Sequence, residues 1–92
     1  MLIKLIVNTP NGKFIDNEEV EIINLKTTDG EIGVLANMEP MISALKIGNM
    51  NYKKNGKIRY IHLHRGLAII QKDECKIITE RLYEVNEKGD RI

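Results

Sequence analysis

Short apolar runs separated by tight-turn dipeptides constrain this chain more than any other feature. Asp29-Gly30 stands between Glu19–Leu25 and Glu31–Leu35, and Asn55-Gly56 between Asn49–Lys53 and Ile58–His64. A two-residue hairpin turn that follows the right-handed twist of its strands needs positive φ, which glycine supplies without steric cost. Pro10-Asn11-Gly12 makes a further turn between Leu2–Val7 and Lys13–Ile15, and Lys72-Asp73-Glu74 joins Leu67–Gln71 to Cys75–Thr79. Each run is of strand length. Hydrophobic residues make up 42% of the chain, with three tyrosines, one phenylalanine and no tryptophan, and isoleucine is the chief apolar residue. A core of β-branched aliphatic side chains suits a pleated sheet better than a helix. The expected fold is therefore all-β, a flattened sandwich or barrel of about 8–10 short strands.

One segment has a different rhythm. From Asn37 to Lys46, Pro40 suits a first helical position and Met41, Ala44 and Leu45 recur at helical spacing, which predicts a single short helical turn. After Thr79 the apolar pattern weakens. The expected division is a sandwich domain over residues 1–80 and a polar tail over 81–92, with no room for another element. A chain of 92 residues makes one small domain, burying roughly 60–65% of the surface its unfolded form exposes.

Charge narrows the partners. Fourteen Lys and Arg against thirteen Asp and Glu give a net charge of +1, so no strong field steers this chain toward nucleic acid or an acidic membrane. Lys53, Lys54 and Lys57 surround the Asn55-Gly56 turn, but no aromatic residues are interleaved for base stacking, and the cluster reads as a solvated hairpin tip. The longest apolar stretches, such as Leu67-Ala68-Ile69-Ile70, are strand-length, and no charged opening followed by a long apolar run marks a signal peptide or span. The expectation is a protein on the cytoplasmic side, with no direct membrane insertion and any membrane association made through a partner.

Catalytic and metal signatures are sparse. The chain has no Gly-x-Ser-x-Gly elbow, Walker-type loop or metalloprotease helix, and its sole serine, Ser43, sits between Ile42 and Ala44 with no base nearby. No cofactor is expected. His62 and His64 project from one face if their strand is regular, and a site for a metal or small ligand built from His62, His64 and Cys75 is the alternative reading. The bland reading makes the histidines solvent-facing and Cys75 a small buried hydrophobe.

The segment Thr28-Asp29-Gly30-Glu31-Ile32-Gly33-Val34-Leu35-Ala36-Asn37-Met38-Glu39-Pro40-Met41-Ile42-Ser43-Ala44-Leu45-Lys46-Ile47-Gly48 resembles the signature of the epsilon subunit of the F-type rotary ATP synthase. Gly30-Glu31-Ile32-Gly33, Pro40 to Lys46 and Gly48 follow the family pattern, whereas Ala36 stands where proline is usual and Met38 where histidine is usual. Ile6 to Gly12 resembles the family's opening strand and turn. Tyr60 to Ile70 resembles a strand, a Ser-Gly-Gly corner and the next strand, with His64 and Arg65 replacing the serine and first glycine. The resemblance covers roughly residues 2 to 80. It implies a non-catalytic central-stalk subunit on the cytoplasmic face of the bacterial membrane, held between the gamma shaft and the membrane c-ring and coupling ion translocation to ATP synthesis. It implies ring contact by Asp29 and Glu31, and gamma contact within the set Met38, Pro40, Met41, Ile42 and Ala44, about half of which core packing would account for. Gly30 and Gly33 either frame that ring-facing carboxylate or merely make the turn and its packing. Many members continue into a two-helix C-terminal domain that inhibits ATP hydrolysis. The expectation here is a short form without it.

Overall fold

Each turn expected from the sequence closes a hairpin in the structure. The computed structural model describes residues 2–92 and contains ten strands: β1 (Ile3–Thr9), β2 (Gly12–Val20), β3 (Ile22–Thr27), β4 (Gly30–Val34), β5 (Met41–Leu45), β6 (Gly48–Lys54), β7 (Lys57–Leu63), β8 (Gly66–Gln71), β9 (Glu74–Thr79) and β10 (Leu82–Val85). The first two turns share one device. The Thr9 hydroxyl donates to the Gly12 carbonyl at 3.1 Å and accepts the Asn11 N–H at 3.2 Å; Thr27 does the same with Gly30 at 2.6 Å and Asp29 at 3.1 Å. In both turns the positive φ falls on the glycine that opens the next strand, at 121°. Asn55 and Gly56, at 52° and 77°, take the left-handed region together, as the twist of a two-residue hairpin requires.

The ladder runs β10-β7-β6-β3-β5-β8-β9-β1-β2, with β4 on the other edge of β3. This is an all-β, curled sheet of two five-stranded halves, β4-β3-β6-β7-β10 and β5-β8-β9-β1-β2. The halves meet where Thr27 pairs with Leu45. All pairings are antiparallel except β1 with β9, where Lys4 to Asn8 run beside Glu74 to Ile78. One expected strand divides. Glu19–Leu25 bends at Glu21, whose N–H donates to the Lys53 carbonyl at 2.8 Å, so β2 ends at Val20 and β3 starts in the other half.

Alternation fills the core. Ile3, Leu5 and Val7 of β1, Ile23 and Leu25 of β3, Ala68 and Ile70 of β8, and Cys75 and Ile77 of β9 are all essentially inaccessible and belong to one apolar cluster. Successive residues point to opposite faces, so each strand gives every second side chain to this interior.

Two expectations fail. The short helical turn over Asn37–Lys46 is absent, because Met41 to Leu45 pair residue for residue with Ile70 to Gly66. Five extended residues with a sheet neighbour outweigh the weak helical spacing, and Pro40 is compatible with the entry to a strand as well as to a helix. The stretch after Thr79 also holds another element: β10 pairs with β7 from Leu82↔Leu63 to Val85↔Tyr60, and Val85 is buried.

Candidate partner-docking site

The residues singled out between Asp29 and Ala44 lie on β4, β5 and the loop joining them. Asp29 and Glu31 are exposed at the β3–β4 turn, where Gly30 supplies the positive φ; neither takes part in an ion pair among the described residues. Gly33 is extended and faces Asn24 in the ladder. A Cβ there would meet Asn24 Oδ1 at 3.4 Å, an ordinary contact, so sterics alone do not demand glycine. The Thr28 N–H donates to the Ala44 carbonyl at 3.0 Å, which ties this acidic turn to the end of β5.

The five apolar candidates divide by environment. Met38 packs against the core, and its sulfur accepts the Leu35 N–H at 3.2 Å. Pro40 is exposed beside it. On β5, Met41 and Leu45 share one face, Leu45 buried, while Ile42 and Ala44 point outward. Ile42 is 70% exposed, the most open large apolar side chain on any strand. Only Ile42, Ala44 and the rim of Met41 therefore present apolar surface on β5.

Register extends that surface across the sheet. Ala44 lies opposite Leu67, Leu67 opposite Ile78, and Ile78 beside Asn8; in the next row Ile42 lies opposite Ile69. Leu67 and Ile78 are each more than two-fifths exposed, and a groove of ≈ 750 Å³ runs along them beside Pro10. The outer side of β5-β8-β9 is thus an aliphatic patch. The matching face of the other half is polar, with Asn24 bonded to Asn51 at 2.8 Å and Asn49 to His62 at 2.7 Å. Sequence reasoning missed Leu67, Ile69 and Ile78. Their signal was the pair of doublets Ile69-Ile70 and Ile77-Ile78, since consecutive apolar residues on a strand make both of its faces apolar.

The alternative site does not assemble. His62 and His64 lie on the outer face of the β6-β7-β10 region with ring centroids 5.8 Å apart, whereas Cys75 faces the core. Among the described residues no three His, Cys, Asp or Glu side chains gather as a metal would need. His62 is stacked on Tyr83 at 4.8 Å, and Arg91 lies 4.6 Å from that tyrosine ring. Burial, and then the nearby His64, lowers the His62 pKa. Burial, with a smaller contribution from Glu74, pushes the Cys75 thiol up to about 12, which makes it inert rather than nucleophilic. Near the basic hairpin, Lys53 pairs with Glu21 at 3.9 Å and Lys54 with Glu18 at 3.6 Å.

Residues 2–85 match the family described as ATP synthase, Delta/Epsilon chain, beta-sandwich domain. The chain is 35% identical to an ATP synthase epsilon chain of Staphylococcus saprophyticus, over 92% of this chain and 63% of that one. It is 37% identical to the ATP synthase epsilon chain of Mycoplasma mobile, over 86% of this chain and 57% of that one. It therefore spans about three-fifths of the length of these curated relatives. Among solved structures, the fold is similar to a chain in the cryo-EM structure of the Euglena gracilis mitochondrial ATP synthase, OSCP/F1/c-ring, with a TM-score of 0.87 and 23% identity over 95% of this chain and 57% of that one. A chain of the Tetrahymena thermophila mitochondrial ATP synthase, central stalk/c-ring, gives 0.78 and 15%, over 88% of this chain and 65% of that one. No helix among the described residues is long and apolar enough to cross a membrane.

Proposed function

The chain belongs to the ATP synthase delta/epsilon-chain β-sandwich family, and from that premise we propose that it is a non-catalytic rotor subunit that binds the gamma shaft and the c-ring. In this role it is peripheral to the membrane, on its cytoplasmic face, and transmits torque between ion translocation and ATP synthesis. Such a coupler needs stiffness and durable contacts rather than reactive groups. Close packing of the two halves supports the stiffness.

The observation that carries the reading is the unpartnered aliphatic patch of Ile42, Leu67 and Ile78, which adjoins the acidic turn of Asp29 and Glu31 through the Thr28–Ala44 hydrogen bond. Apolar surface of this kind, rimmed by polar residues, is what a protein partner covers. In this reading Ile42, Ala44 and Met41 meet gamma together with Leu67 and Ile78, with exposed Pro40 and the partly buried Met38 at the border of that contact. Asp29 and Glu31 accept hydrogen bonds from cationic groups on the ring loops, contacts worth about 1.5–3 kcal/mol when partly desolvated. Leu82–Val85, within the expected tail, pair with β7 as β10 and so belong to the sheet.

The test is size-exclusion chromatography with the matching gamma subunit. The wild-type chain is expected to elute as a one-to-one complex, and Ile42→Asp to weaken it by about 2 kcal/mol, roughly thirtyfold. Because Ile42 is 70% exposed, the variant should keep its fold. Absence of a wild-type complex with folded gamma would overturn the proposal.

A further inference from the structure

A curled sheet of this topology leaves four strand edges to manage: those of β10, β2, β4 and β5. An unpaired edge is a row of N–H and C=O groups that templates another strand, and proteins blunt such edges with charge, bulges, glycine or a covering segment. Three edges here are blunted. The edge of β10 is covered by the returning tail, where Val85 bridges Arg91 and the Ile92 N–H donates to the Glu84 carbonyl at 3.1 Å. β2 carries Asp16, Glu18 and Glu19, turns through Asn17 at φ 57°, and shifts register twice against β1. β4 places Glu31 between Gly30 and Gly33, which give an incoming strand little to pack against.

β5 has neither charge, glycine nor bulge, and among the described residues no strand pairs along its outer edge beyond Leu45. Met41-Ile42-Ser43-Ala44-Leu45 contains no charge, glycine or proline, keeps an unbroken register against β8, and pairs with β3 only at Leu45. The direction of its free groups follows from two hydrogen bonds. The Ala44 carbonyl accepts from Thr28 at 3.0 Å and the Lys46 N–H donates to Lys26 at 3.2 Å, so these two residues direct their backbone groups away from β8. Backbone groups alternate between the edges of an antiparallel strand, so those of Ile42, two residues back, point the same way. β3 has turned off by then, and among the described residues Ile42 has no strand partner on that side.

We propose that gamma docks by adding an extended segment to the free edge of β5, exchanging hydrogen bonds with the N–H and C=O of Ile42. This deepens the docking reading above and rests on it. The incoming segment carries apolar side chains at alternate positions, because Met41 and Ile42 flank the edge on opposite faces and no charge on β5 invites an ionic partner. Pro40 and the Thr28–Ala44 bond close the window at its two ends, so the added strand is short.

Two variants separate backbone from side chain. Ile42→Pro removes an N–H that has no hydrogen-bond partner among the described residues, whereas Ile42→Ala keeps that N–H and removes most of the side chain. Binding to the matching gamma subunit is expected to fall by roughly tenfold more for proline than for alanine, because only proline deletes the hydrogen bond. Amide hydrogen exchange read by NMR is the second measurement and uses the wild-type chain, so it stands even if the proline variant fails to fold. The Ile42 amide is expected to exchange freely in the isolated chain and at least tenfold more slowly in the complex. A complex in which that amide stays fast, or in which alanine and proline weaken binding equally, overturns strand addition and leaves the docking reading intact. Failure of wild type to bind gamma overturns both. Slowing of the Ile42 amide by self-association without gamma assigns the edge to a second copy and overturns the occupant proposed here.

Discussion

At the scale of single residues, close approach and burial decide what the chain tolerates. A Cβ placed on Gly66 would lie 2.1 Å from the Ile78 carbonyl oxygen, a backbone atom that cannot swing aside. Gly66→Ala is therefore expected to cost roughly 3 kcal/mol or more, read from urea unfolding midpoints. His62 supplies the pH dependence. Its folded pKa lies below the ordinary 6.5, so the unfolded chain binds more protons around and below that value. The His62 contribution is thus fully present above pH 6.5 and is lost as pH falls through the lower folded value. Unfolding midpoints should drop on acidification below 6.5, and His62→Gln should flatten that slope. The corner was placed by the family resemblance, but the close approach of Gly66 to Ile78 depends on the pairing of β8 with β9. The setting of His62 was not legible in the sequence, since Asn49 and Tyr83 reach it only through pairing of β6 and β10 with β7.

Elements held by side-chain hydrogen bonds form the next scale. The Thr79 hydroxyl lies 2.9, 3.1 and 3.3 Å from the carbonyls of His64, Arg65 and Arg81, joining the β7–β8 corner to the β9–β10 corner. Thr79→Val preserves the shape of this buried residue but removes the hydroxyl that links the two corners, and should lower stability by about 1 kcal/mol in denaturant titrations. The hairpins were readable from their Asx-Gly and Pro-Asn-Gly punctuation because turn geometry is local. β5 was not, because apolar residues three and four apart fit either a helix or a strand over so short a run. The partner that decided it, β8, lies some twenty residues further along the chain.

For the molecule as a whole, the parallel pairing of β1 with β9 locks the first strand to nearly the last, so the fold closes only when most of the chain is present. A chain cut after Glu80 loses β10 and the buried Val85, and is expected to be destabilised by about 2–3 kcal/mol. A cut after Asn86 keeps β10 and removes the Arg91 contact with Tyr83, at a cost of about 1 kcal/mol by the same thermal or urea measurement. Alternation, turn residues and the family signature between Thr28 and Gly48 determined by themselves that the chain is an all-β sandwich, where its hairpins fall, and which segment to examine for docking. These are properties of neighbours in sequence: φ preferences, two-residue periodicity and spacing. Tertiary structure alone decided which apolar side chains stay outside, that Cys75 and the histidines lie on opposite sides of the sheet, and that β5 keeps an unprotected edge. Those outcomes depend on strand order and register, and strand order is settled by contacts between residues far apart in the chain.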